Sequence, residues 1–218
     1  MSFNITLNSP ALDGILAELG KQGAFAVVQA LTATAKDVQA GESEGLEQSL
    51  DRPTPFTLNA FGVDPAIKAK PTARIFMRPI QSRYLQWQIE GGQRTYKGFE
   101  IKIKEKTFNA FLIPGRDTPR DQYGNVSRSD IIKITAELNS SGSARRYFAG
   151  QPKGRPDLPP GVYARVNDNT SIEPLLIFAT HAVYTKRFEW SAIARRIVDA
   201  NFERNLSAAL ARTIATAR

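Results

Sequence analysis

The amino-acid sequence predicts an α+β fold: a mostly antiparallel sheet over 72–183, flanked by long N-terminal and C-terminal helices, with extended loops. Three observations predict it. Apolar residues recur at three- and four-residue spacing before 51 and after 191, they alternate at two-residue spacing in between, and Pro53 and Pro55 mark the change of period. The expected organisation is a single structural domain of four segments: a helical segment over 1–51, an extended arm over 52–71, a β-rich core with two long loops over 72–190 and a C-terminal helix over 191–218.

In chain order, Asn8 or Ser9 before Pro10 starts the first helix, and Leu12, Ile15, Leu16 and Leu19 form its apolar stripe. Gly20 and Gly23 predict a kink. The run 24–38 favours helix and sets Val27, Leu31, Ala35 and Val38 on one face. Gly41 and Gly45 are then expected to interrupt it, leaving a second short helix or a frayed continuation to 51. Pro53 and Pro55 each lack an amide donor and push the residue before them toward extended backbone, so the helix stops and the chain leaves extended. Phe56, Phe61 and Val63 are its apolar anchors.

Residues 72–78 read as a strand ended by Pro79, and 82–90 as a short helix with a glycine C-cap, in preference to a strand. The string FEIKIK at 99–104 alternates apolar and charged, and TFNAFLI at 107–113 follows closely, which predicts a hairpin with one wet face. Residues 114–129 are polar and turn-forming, hence a long exposed loop. The run 131–138 fits helix or strand, and 139–160 is a second extended loop anchored by Tyr147 and Phe148. A hairpin follows over 161–166 and 172–183 around Asn167, Asp168, Asn169 and Thr170. Ser191 caps the last helix, which carries Ile193, Ile197, Leu206, Leu210 and Ile214, with Arg212 and Arg218 near its C-terminal end.

Composition narrows the chemistry. The 218 residues include no cysteine and one histidine, so disulfides and thiolate metal sites are impossible and an ordinary zinc site is disfavoured. The composition fits reducing, intracellular synthesis. The first residues lack the basic-then-apolar pattern of a signal peptide, and no apolar run reaches membrane-spanning length. A soluble product with no membrane association is expected. The net charge is +8 and unevenly spread: 3 basic against 7 acidic residues over 1–60, then 13 against 7 over 61–130 and again over 131–218. Such asymmetry suits a nucleic-acid surface, complementary faces between copies in an assembly, or simply a solvated surface.

Catalytic signals are sparse. No phosphate-loop motif occurs, and GQPKG at 150–154 lacks its spacing. His181 lies in an apolar run and is expected to be a satisfied structural histidine. Asp117 and Asp121 fit capped turns better than a calcium loop. Glu100 and Lys102, two apart on an expected strand with Asp64 upstream, match the acid–lysine spacing of metal-dependent nucleases. The polar face of an alternating strand accounts for them more simply. No cofactor is expected, and an enzyme is disfavoured.

The strings DRPTPFTLNAF, ARIFMRPIQSRYLQWQIEGGQR, DQYGNVSR, GVYAR, PLLIFATHAVYTKRFEW and AALARTIATAR occur in this order over most of the chain. Together they resemble the head–tail connector or tail-completion proteins of long-tailed bacteriophages, the minor tail protein Z-like group. The resemblance implies a structural virion protein of the phage neck, made in the host cytoplasm, that completes the tail and joins it to the head connector as a ring, with six copies expected. Its implied partners are further copies of itself, the connector or portal-side proteins, and tail terminator or tail tube proteins, with non-specific contact to DNA in the channel. The alternatives are a tail terminator, a minor capsid component, or a metal-dependent nuclease using Glu100 and Lys102. On the assembly reading the partner-contacting candidates are Arg52, Pro53, Pro55 and Phe56 of the arm, Arg116, Arg120 and Tyr123 of the first loop, and Arg145 and Arg146 of the second.

Overall fold

The computed structural model describes residues 2–6, 10–104, 110–116, 118–140 and 145–216. Its elements run β1 (Ser2–Thr6), α1 (Pro10–Ser49), α2 (Pro55–Leu58), β2 (Phe61–Asp64), β3 (Thr72–Met77), α3 (Pro79–Glu90), β4 (Gly92–Gln93) and α4 (Gly98–Lys104). There follow β5 (Phe111–Pro114), α5 (Arg128–Asn139), β6 (Tyr147–Gly150), β7 (Gly161–Val166), β8 (Ser171–Ala179), β9 (Val183–Tyr184) and α6 (Trp190–Thr216). The fold is α+β, with antiparallel sheets and long N-terminal and C-terminal helices. Among the described residues no helix is long and apolar enough to cross a membrane.

The strands expected in one core over 72–190 are divided between two compact units, one formed by 1–91 with 185–218 and the other by 92–184. In the first unit, Val27, Leu31, Ala35 and Val38 of α1 are all buried, as their spacing predicts. They pack with Phe61, Ile75, Met77, Leu85, Phe188 and Trp190, and the Phe61 ring stacks on Trp190 at 5.7 Å. The three-stranded sheet has the order β1-β3-β2. Strand β1, which pairs Ser2 with Phe76 and Thr6 with Thr72, falls where the sequence predicts only the approach to a helix. The expected helix start at Asn8 or Ser9 lies outside the described residues.

Helix α1 kinks at Gly20 (φ 55°), inside the predicted interval, but runs unbroken through Gly41 and Gly45. Those two glycines are the seam against α6. A Cβ on Gly41 would lie 2.1 Å from Ile197 Cδ1, and one on Gly45 2.6 Å from Ile193 Cδ1. Packing therefore fills the room that a side chain would need, and it outweighs the low helix propensity of glycine. Farther along this antiparallel pair, Asn205 Nδ2 donates to Thr34 Oγ1 at 3.0 Å and to Asp37 Oδ2 at 2.8 Å. Ile214, expected on the buried stripe of α6, is 59% exposed.

The expected arm over 52–71 is not a free extension. It folds into α2 and β2, and β2 joins the sheet with Phe61 opposite Met77 and Asp64 opposite Arg74. Pro55 starts a helical turn rather than a strand because its missing amide costs nothing at a first helical position, and Thr54 Oγ1 accepts from the Thr57 amide at 3.1 Å. Helix α3 ends at Gly91 (φ 72°), as predicted.

The second unit carries a four-stranded antiparallel sheet of order β5-β8-β7-β6 and the small pair β4-β9. Its core is Ile103, Leu112, Ile134, Val162 and Leu176. The β7–β8 hairpin turns at the expected Asn167, Asp168 and Asn169, with φ 50°, 52° and 67°, but β8 ends at Ala179 and not at 183. Two other expectations fail here. Residues 98–104 are helix α4, and β5 pairs with β8, with no 99–104 partner. Within the second expected loop, Tyr147 to Gly150 form β6 against β7, while 131–138, left open from sequence, belong to α5.

Gly161 shows how tight this sheet is. A Cβ there would meet the Leu176 carbonyl oxygen at 2.4 Å and Ile177 Cα at 3.3 Å, backbone that a rotamer change cannot move. Gly161→Ala is expected to destabilise the unit by about 1–3 kcal/mol, read as a lower denaturant midpoint with unchanged slope.

Candidate interaction surfaces

The arm residues gather around the contact between α2 and α3. Gln81, 3% exposed, donates from Nε2 to the Phe56 carbonyl at 3.1 Å, and Thr57 Oγ1 shares a 3.1 Å hydrogen bond with Tyr84 OH. This docking leaves Phe56 54%, Ile80 62% and Tyr84 40% exposed. Ile80 and Tyr84 are four residues apart and so share a face of α3. Upstream, Arg52 takes a left-handed backbone (φ 47°) and pairs with Asp51 at 3.2 Å, Pro53 is half-buried and Pro55 is exposed. The arm thus contributes a built corner with an apolar cap.

The loop between β5 and α5 is held by its own bonds. Arg120 Nη2 donates to the Gly115 carbonyl at 2.9 Å, which makes this side chain a staple within the loop. Asp121 Oδ1 accepts from the Tyr123 and Asn125 amides, both at 2.9 Å, the capped turn expected for it. Asp117 lies outside the described residues. The loop is tied to the sheet by Thr118 Oγ1, which donates to the Leu175 carbonyl. Arg116 is exposed and Tyr123 half-buried.

Arg145 and Arg146 enter β6 beside the β7–β8 turn. With Arg165, Val166, Asn167, Asp168 and Asn169 they line a groove of about 610 Å³. Arg165 is fixed twice: its Nη1 donates to the Arg145 carbonyl at 2.6 Å, and its guanidinium lies over the Phe148 ring at 4.6 Å. Its backbone amide donates to the Arg146 carbonyl at 2.7 Å, and Arg146 lies over Tyr147 at 5.5 Å. Sequence reasoning places Arg165 only as an outward residue of an alternating strand. Its role in the groove depends on the pairing of Phe148 with Tyr163, which no local signal reveals.

Comparison with protein-family models, curated proteins and solved structures gave no match.

The residues of the nuclease-like pattern are spent elsewhere. Glu100, 1% exposed, sits on α4 and accepts from Arg94 Nη2 at 2.6 Å, Arg94 Nη1 at 2.7 Å, the Lys97 amide at 2.6 Å and the Leu112 amide at 2.9 Å. Burial alone would raise this carboxyl, but the bonds from Arg94 and the two amides outweigh it and hold it below the usual glutamate range. Asp64 belongs to the other unit and is bound by Arg74 at 2.8 Å, while Lys102 is exposed. Among the described residues no group of three or more His, Asp or Glu could hold a metal ion. His181, expected inside a strand, is exposed in the connection between β8 and β9.

A second buried carboxyl has no sequence signal beyond being one glutamate among several. Glu42 of α1 is fully buried, and neither carboxyl oxygen has a hydrogen-bond partner. Burial raises its pKa from 4.5 to about 8. The Ala194 amide of α6 pulls the other way without making a hydrogen bond, and burial wins.

Proposed function

We propose that this chain is a structural assembly subunit, the tail-completion component of a long-tailed phage neck, which joins tail to head connector as a ring of identical copies. The observation that carries this reading is the apolar cap formed by Phe56, Ile80 and Tyr84 on the corner made by 51–61 and α3. Exposed aromatic and aliphatic groups that stand together on a corner pinned by hydrogen bonds are what subunit contacts use. Phe56 of the cap belongs to the arm, one of the three segments expected to hold partner contacts, and the basic surface elsewhere gives neighbouring copies an electrostatic complement to the acidic α1.

The test is a particle experiment. In virions purified from a producing host, density for this chain is expected at the neck, and Phe56→Asp with Ile80→Asp is expected to lower its incorporation at least tenfold. The far-UV spectrum and melting temperature of the purified variant should stay unchanged, because both side chains already face water. Density in the shell, density at a terminator position on the tail tube, or full incorporation of the double variant each overturns the neck assignment or the role of this cap.

A further inference from the structure

The groove at the β6 edge is rich in basic side chains. Three guanidinium groups, from Arg145, Arg146 and Arg165, line it with one carboxylate, Asp168. The nearby Glu137 accepts through Oε1 from the neutral Tyr147 amide at 2.9 Å, a bond that cancels no charge, so with Asp168 it sets two carboxylates against three guanidinium groups and the balance stays positive. Arg165 is held by its bond to the Arg145 carbonyl and by Phe148, so part of the charge is fixed before any ligand arrives.

We propose that this groove binds the phosphate backbone of duplex nucleic acid without reading its sequence. Two features choose this ligand over others. Among the described residues no aromatic ring lines the groove, since Phe148 stacks on Tyr163 and lies under Arg165 while Tyr147 packs against the core, so the groove offers no face for stacking an unpaired base. Guanidinium forks suit the paired oxygens of phosphodiesters, and about 610 Å³ admits more than one such group. Asn169 adds a neutral polar group at the turn, while Asn167 is engaged there, its Nδ2 donating to Ser171 Oγ at 2.9 Å. The proposal is independent of the neck assignment: it concerns phosphate contact by the purified chain.

The experiment measures binding of the full chain to a short duplex DNA by fluorescence anisotropy over a series of salt concentrations. The double variant Arg145→Ala with Arg146→Ala is expected to bind at least tenfold more weakly at low salt. The slope of log affinity against log salt should fall by about 2, since each released phosphate contact contributes roughly 0.9. Arg155→Ala is the internal control, because Arg155 is already neutralised by Asp157 through bonds of 2.7 and 2.9 Å, and it should leave the slope unchanged. A circular dichroism melt of each variant separates lost contact from lost fold. Four results overturn the proposal: no duplex binding at low salt, equal losses from the pair and from Arg155→Ala, tighter binding of single strands than of duplex, or equal binding of polyglutamate. The last would assign the groove to an acidic protein surface.

Discussion

Glu100→Ala is expected to destabilise the second unit by about 3–5 kcal/mol, the range for removing one partner of a buried ion pair and leaving the other charge behind. Arg94 is only 8% exposed and would lose both of its bonds to the carboxylate. The amides of Lys97 and Leu112 would lose theirs as well. Hydrogen exchange at the Leu112 amide is the local readout, since it separates this unit from the rest of the chain. A combined Arg94→Met and Glu100→Leu variant should recover more than half of the loss, because no charge is then left buried. The pH dependence follows from the lowered carboxyl. Its stabilisation is present above the ordinary glutamate value of 4.5 and is lost as pH falls through the lower folded value. Wild type should lose stability in acid through this group, and Glu100→Ala should lack that component.

Glu42→Gln is expected to act in the opposite direction, stabilising the first unit by about 3 kcal/mol at pH 7. With a folded pKa of about 8 against 4.5, the native protein holds a proton at neutral pH that the unfolded chain has released. Stability from this group is complete below 4.5, declines as pH rises toward 8 and is flat above that. Each pH unit within the window corresponds to about 1.4 kcal/mol. The variant carries no such proton, so its advantage over wild type should vanish near pH 4.5 and be greatest at pH 8 and above. Equal stabilities of the two proteins at pH 8 in urea melts would show that the carboxyl is solvated.

Local pattern carried much of α1, α3, α6 and the turn of the β7–β8 hairpin: apolar spacing marks the helices, apart from Ile214 in α6, and glycine, proline or asparagine marks the kink of α1, both ends of α3 and the turn. It failed where one string satisfies two periods. FEIKIK alternates as a strand does, yet Phe99 and Ile103 are also four apart, and the decision is made by Glu100 turning inward to Arg94 and Leu112. Strand β1 gave no local signal for a different reason: it pairs with β3, from which α1, α2 and β2 separate it in sequence. Gly41 and Gly45 misled because their purpose lies on α6, in Ile197 and Ile193. Sequence places Phe56 on the arm and Arg145 and Arg146 on the basic loop, but Arg165 joins the two arginines in one groove only through cross-strand pairing, and Arg120 holds its own loop.

The first unit is assembled from two separated stretches, 1–91 and 185–218, with 92–184 inserted between them. On the ribosome, then, the inserted half emerges whole while α1 still lacks α6, its glycine seam open and Leu31, Val38 and Leu46 without the last of their cover. Completion of that unit must await the synthesis of α6, so a nascent chain stalled before Trp190 would display an uncovered apolar face to chaperones.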